Sequence, residues 1–83
     1  MTWYVYVLSC ADGTLYTGIT TDVERRVLEH NSGKKGAKYT KTRRPVTLVY
    51  KKRCKDRSVA LRSEYALKQL SREEKKQLIK RVP

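Results

Sequence analysis

The stretch "TWYVYVLSCADGTLYTGIT", Thr2 to Thr20, constrains the fold more than any other part of the chain. Two runs rich in β-branched and aromatic residues flank Ala11-Asp12-Gly13, and such runs read as strands. Gly13 takes positive φ without steric cost, so the three residues read as a turn and the whole as a β-hairpin. Successive strand side chains point to opposite faces. Tyr4 and Tyr6 therefore share one face, and Trp3, Val5 and Val7 the other. The all-apolar set is expected to face the core. The tyrosine face is then partly wet or lines a groove, and Tyr16 joins it if pairing sets it opposite Tyr6. Two uses remain open for the tyrosines: ring area for a small core, or phenols that meet water and phosphate.

The remaining elements follow from periodicity. In "TTDVERRVLEHNSG", Thr21 and Glu24 have capping-box spacing, and Val23, Val27 and Leu28 form an apolar stripe that Gly33 can end. This predicts a helix of about nine to eleven residues. Arg26 and His30 share one flank of it, where Arg26 can pair with Asp22. "GKKGAKYTKTRRP" shows no periodicity and reads as an ordered basic loop with Tyr39 as anchor. "VTLVYKKRC" alternates as a third strand. Asp56 or Ser58 caps the helix "SVALRSEYALKQL", whose stripe is Val59, Ala60, Ala66, Leu67 and Leu70. Ser71 and Glu74 form a second capping box, opening a short last helix. The expectation is an α+β fold: a small three-stranded antiparallel sheet flanked by helices, in the order β-β-α-β-α-α, as one domain over residues 1–83. No internal repeat or low-complexity segment interrupts it.

Composition bounds the function. Eighty-three residues with 39% hydrophobic content supply one small core, and a chain this size buries roughly 60–65% of its unfolded surface. No apolar run is long enough to span a membrane, and the N-terminus lacks a secretory pattern, which predicts a cytoplasmic protein. Cys10 and Cys54 lie far apart, and His30 is the sole histidine. Four zinc ligands with local spacing are therefore not at hand. Reduced cysteines packed in strands are expected, with a disulfide as the alternative.

The net charge of +12 is uneven. The first 33 residues carry Arg25 and Arg26 against Asp12, Asp22, Glu24 and Glu29. Residues 34–57 hold eleven cations against Asp56 alone. Phosphate polymers are the commonest partners of such a surface, because each cation near the backbone releases counterions. Lys34, Lys35, Lys38, Lys41, Arg43 and Arg44 of the loop, with Lys51, Lys52 and Arg53 of the third strand, are expected to track a nucleic-acid backbone without reading its sequence. Glu64 sits at the edge of its helix's apolar stripe, either pairing with Lys68 one turn later or holding a metal near the sheet.

These pieces together resemble the GIY-YIG nuclease domain. "YVY" (Tyr4–Tyr6) stands for its first strand motif and "YTG" (Tyr16–Gly18) for its second. Arg26 lies on the first helix eight residues after Gly18, with His30 one turn on, and Glu64 lies on a later helix. The segment "GAKYTKTRRPV" is similar to that of small stand-alone bacterial members. Tyr4 stands where the first motif has glycine, and Thr17 where the second has an aliphatic residue. The asparagine that many members carry after the glutamate helix has no counterpart, since Asn31 is on another element.

The resemblance implies phosphodiester hydrolysis, with DNA as the expected partner and Mg²⁺ (or Mn²⁺) held by Glu64. It implies Tyr6 as general base or water-orienting group, with Arg26 and His30 supplying a field that helps the phenol ionise. Tyr16 would orient water or substrate, and Arg26 would donate to the phosphate's non-bridging oxygens. His30 would hold Tyr6 or a phosphate, or simply end its helix, where its charge suits the dipole. Gly18 is expected to let the strand leave the sheet near substrate. All four polar tips, from Tyr6, Tyr16, Arg26 and Glu64, are expected on one open groove bordered by the lysines. The alternative function is nucleic-acid binding on the same fold without catalysis, and a basic adaptor for an acidic protein is a third.

Overall fold

The hairpin forms as the alternation requires. In the computed structural model, which describes residues 2–32 and 38–80 and, in the second stretch, side chains from Thr40 onward, Trp3–Ser9 is β1 and Leu15–Thr20 is β2. Gly13 has φ of 84°, and the Asp12 carboxylate accepts from Thr14 N–H at 3.1 Å and from the Thr14 hydroxyl at 2.6 Å. These bonds pull the Asp12 pKa below its usual value. Thr47–Cys54 is β3, and the sheet order is β2-β1-β3, antiparallel throughout. A register shift between Val7 and Leu8 interrupts the β1–β3 pairing.

Helix α1 spans Val23–Ser32 and α3 spans Arg57–Gln69, followed by α4 over Arg72–Lys80. The caps repay attention because they fix the ends. Asp56 caps α3 through Val59 N–H at 2.9 Å. Ser71 and Glu74 exchange both capping-box bonds, at 3.0 and 3.2 Å, as expected. At α1, however, Asp22 takes the cap from the Thr21–Glu24 pair, accepting from Arg25 N–H at 3.1 Å. The Arg26 guanidinium pairs with Glu29 at 3.1 Å. The segment read as a loop contains a four-residue helix, α2, over Lys38–Lys41. Gly33, Lys34 and Lys35 lie outside the described residues, as do the side chains of Lys38 and Tyr39.

Each face of the sheet carries a buried cluster, and on the tyrosine face only Tyr6 is closed off, while Tyr4 and Tyr16 stay half-buried beside hollows. On one face Val5, Val7 and Cys54 pack with Ala60 and Leu67 of α3, with Leu78 and Ile79 of α4 against them. On the other, Tyr6, Leu8, Cys10 and Val46 form a second cluster joined by Tyr16, Val27 and Leu48. The two cysteines are free and sit in different clusters. The reason Tyr6 is closed off is the phase of α1. Val23 and His30 are its buried residues, whereas Leu28, expected in the stripe, is 66% exposed. A histidine occupies the inner position that a leucine would fill. On α3, likewise, Ala66 is exposed while Ala60 and Leu67 carry the contact.

The connection into β3 is held by side chains. Asn31 brackets Val46, donating to its carbonyl at 3.0 Å and accepting from its N–H at 2.7 Å. That bracket is the structural use of the chain's one asparagine.

Candidate active site

β1 delivers Tyr6 to the sheet's second core, where its side chain is 1% exposed. Gly18 stands directly opposite on β2. A Cβ on Gly18 would meet Tyr6 Oη at 2.6 Å and Cζ at 2.8 Å. The glycine therefore exists to admit the tyrosine ring. It does not release the strand, which runs on to Thr20. Tyr16 pairs with Leu8 instead of Tyr6, but it shares the face, and the two rings lie 6.4 Å apart between centroids. The His30 ring meets Tyr16 edge-on at 5.1 Å.

The Tyr6 hydroxyl is 2.9 Å from His30 Nε2, and His30 Nδ1 is 2.8 Å from Thr40 Oγ1. His30 and Thr40 are both fully buried. A buried polar chain of this kind must satisfy every member, because each unmade bond costs about 1–3 kcal/mol. Burial, with the Arg26 charge beside it, lowers the His30 pKa to about 4. The ring is neutral at pH 7 and offers one donor and one acceptor. The reading of His30 as a charged helix end does not hold.

Tyr6 is moved the other way from expectation. Burial and the neighbouring Tyr16 push its pKa up to about 12, and the hydrogen bond from Arg26 offsets only part of this. Neutral His30 adds no positive field, so the resting Tyr6 is a phenol and not a phenolate. Arg26 itself is about one-quarter exposed and pairs with Glu29 at 3.1 Å. Burial works against its charge, yet hydrogen bonds to Glu29 and Tyr6 prevail and hold its pKa above the ordinary value.

Glu64 comes from α3, which packs on the opposite face of the sheet. Its charge is felt at the Tyr6 hydroxyl, where it contributes to the raised pKa. Its side chain is 21% exposed and pairs with Lys68 at 3.5 Å. Beside it runs a cleft of about 250 Å³ lined by Leu15, Tyr16, Thr17, Lys68 and Lys75. A separate hollow of about 300 Å³ lies between Tyr4, Lys51 and the start of α1, but Asp22 and Glu24 make it a poor phosphate site.

The one open groove expected for the four tips does not form around Tyr6, which is buried, in ring contact with Tyr16, hydrogen-bonded by Arg26 and within the field of Glu64. Of the four, Tyr16 lines the cleft. The bordering cations also differ from expectation. Arg43 pairs with Asp12 at 3.0 Å, and Arg44 Nε donates to the His30 carbonyl at 2.6 Å, so both organise the protein. Lys41, Lys51, Lys52 and Arg53 are exposed. Lys52, however, faces away from Lys51 and Arg53, because neighbours on a strand alternate. Two features escaped the sequence reading. Lys68, expected only as the partner of Glu64, also lines the cleft, and Lys75 joins it from a last helix of mixed charge. Thr40 lay in a segment without periodicity, and no local pattern announces a partner ten residues from His30 in sequence.

The GIY-YIG catalytic domain family matches residues 2–77. A UPF0213 protein of Desulfotalea psychrophila is 62% identical over 78 residues, which is 94% of this chain and 71% of that one. A UPF0213 protein of Staphylococcus haemolyticus is 55% identical over 76 residues, covering 92% of both. The solution NMR structure of a UPF0213 protein from Bacillus halodurans has a TM-score of 0.61 at 51% identity, over 96% of this chain and 84% of that one. That of a protein from E. faecalis has a TM-score of 0.65 at 48% identity, with the same coverage. Tyrosines on a hairpin, an arginine on the first helix and a glutamate on a later one, within this match across nearly the whole chain, make it a member of the GIY-YIG family.

Proposed function

We propose that this chain is a metal-dependent endonuclease that hydrolyses phosphodiester bonds in DNA. One observation carries the reading: the surroundings of the Tyr6 hydroxyl. It lies 2.9 Å from a neutral imidazole, accepts from a guanidinium and feels a carboxylate from a separate helix. Hydrolysis needs an acceptor for water's proton, cations for the charge growing on phosphorus-bound oxygens, and help for the leaving oxygen.

A phenol with a pKa near 12 is a poor base alone. His30 fixes the direction of the Tyr6 phenol. With Nδ1–H on Thr40 Oγ1, Nε2 accepts the Tyr6 O–H hydrogen bond, so the Tyr6 oxygen is turned to accept one from the attacking water and orient it, and the water's proton leaves to a phosphate oxygen. The Arg26 guanidinium stabilises the non-bridging oxygens, where charge develops. Tyr16 hydrogen-bonds water or substrate from the cleft wall, and Lys68 and Lys75 hold the flanking backbone.

Glu64 is the residue suited to hold Mg²⁺ or Mn²⁺. Such an ion, when bound, would act as Lewis acid at the leaving oxygen. Mg²⁺ keeps several waters and needs one or two carboxylates, which fits a lone glutamate. No group of three or more His, Cys, Asp or Glu is poised for a metal among the described residues. The Lys68 partner is half exposed, and such pairs contribute about 0–1 kcal/mol, so Lys68 gives way readily.

That same ion pair, with the resting phenol, favours a second reading: nucleic-acid binding without turnover. Cleavage of single-stranded, duplex and branched DNA in Mg²⁺ separates the two. Glu64→Gln is expected to lower cleavage at least about a hundredfold while leaving salt-sensitive binding intact. Equal cleavage by both proteins would remove Glu64 from the chemistry. Binding with no cleavage by either would favour the second reading.

A further inference from the structure

Helix α3 carries more than Glu64 on the flank that leads away from the core. At about 100° per residue, Leu61, Tyr65 and Lys68 fall within roughly a quarter-turn to one side of Glu64. Ala60 and Leu67 fall to the other side and are buried. Leu61 is 38% exposed and Tyr65 is 70% exposed. The neighbours of Tyr65 at three and four residues are Leu61, Arg62, Lys68 and Gln69, all exposed and none acidic. Lys68 therefore stands between the aromatic ring and Glu64, which it contacts at 3.5 Å. It also lines the cleft that holds Tyr16.

An exposed aromatic ring flanked by Arg62 and Lys68 suits a flat apolar partner that carries negative charge. A second copy of this chain fits poorly. Two side chains supply little of the ~1,000 Å² that a stable interface needs. A two-fold contact through this flank would also set Arg62 and Lys68 against their own copies. A nucleotide satisfies both demands, with the base on the ring and the phosphate at the lysine.

We propose that Tyr65 is a base-stacking residue. An unpaired base lies on its ring beside Leu61, and the backbone passes Lys68 toward Glu64 and the Tyr16 cleft. The inference deepens the nucleic-acid reading above and rests on it. It assigns the substrate class as strands with unpaired bases, single-stranded or branched. A paired base inside a duplex is already stacked and exposes no face without a cost.

Binding measured in EDTA tests this apart from any cleavage. The probe is a short oligonucleotide containing 2-aminopurine, single-stranded or annealed to its complement, at one fixed salt concentration. Tyr65→Ala should weaken single-strand binding about five- to a hundredfold and abolish the 2-aminopurine quenching. Duplex binding should change by less than about twofold, and the salt slope should stay the same, since no charge is lost. Tyr65→Phe keeps the ring and should match the native protein in both readouts.

Native affinity and quenching in Tyr65→Ala would overturn the proposal. So would an equal loss on both strands, or a change of oligomeric state in light scattering with unaltered affinity. If the native protein bound neither strand at about 50 mM salt, the nucleic-acid reading would fail and take this one with it. If Glu64→Gln cleaved normally while Tyr65→Ala lost single strands selectively, only the metal chemistry would fail.

Discussion

The two faces of the sheet solve the same packing problem in opposite ways. On the α3 side, Val5, Val7, Cys54, Ala60 and Leu67 meet as an apolar cluster, with Trp3 and Tyr50 packed against it. On the α1 side, Tyr6 and Leu8 are equally buried, but Tyr6 is locked to His30 and His30 to Thr40. A dry face tolerates imperfect neighbours, since apolar contacts are undirected. A polar chain does not, because a missing partner strands a buried donor or acceptor. An 83-residue protein has little stability to give away. Aliphatic side chains would fill the same volume with fewer conditions. The tyrosine face is therefore best understood through chemistry, and the α3 face through stability.

The sharpest way to break that contrast is to remove one oxygen. Tyr6→Phe keeps the ring over Gly18 but leaves His30 Nε2 without its partner. Cleavage should fall by about 10²-fold or more, as expected when the attacking water loses its orienting group, with about 1–3 kcal/mol of stability lost as well. Leu78→Ala, trimming the dry face from α4, should lose about 1–2 kcal/mol and leave the cleavage rate alone. Paired denaturation curves and initial rates compare them. Similar rates for the two variants would erase the distinction between the faces.

The next test uses pH. His30 is held neutral, with its pKa at about 4 against about 6.5 in an unfolded chain. Between those values the unfolded chain binds the extra proton and the native protein does not. Stability should therefore be complete above about pH 6.5 and fall as pH drops toward 4, by on the order of 3 kcal/mol. At the alkaline end, Tyr6 titrates near 12 instead of 10, so stability should fall as pH rises past 10. Urea midpoints across this range give the slopes. His30→Gln should flatten the acid limb, and an unchanged limb would assign it to other groups.

A smaller effect is expected at Gly18. Its substitution by alanine forces a Cβ within 2.6 Å of the Tyr6 hydroxyl. Overpacking of this kind costs about 1–3 kcal/mol. The Tyr6→Phe background removes the closest atom, so the cost there should shrink. A double-mutant cycle in thermal denaturation measures that coupling.

Much of this could be read along the chain. The hairpin, the third strand, α3 and its Asp56 cap, and the Ser71–Glu74 box all rest on contacts within a few residues, so local spacing carries them. Tyr6, Tyr16, Arg26 and Glu64 could be named as a set because the family motif preserves their order. Other features rest on contacts with no local trace. Thr40 and His30 meet across the α1–α2 connection, and Arg44 reaches back to the His30 carbonyl. Arg43 looked like a free cation until the fold set Asp12 beside it.

Residue types and their spacing were thus enough to specify the strands and the longer helices, because propensity and periodicity are properties of neighbours. Which sheet face is dry, which tyrosine is buried, and which lysines border the cleft were settled only when α1 and α3 closed on opposite sides of the sheet. Burial and charge coupling depend on distance in space. That distance is what turned Tyr6 from an expected phenolate into a phenol bonded to a neutral histidine.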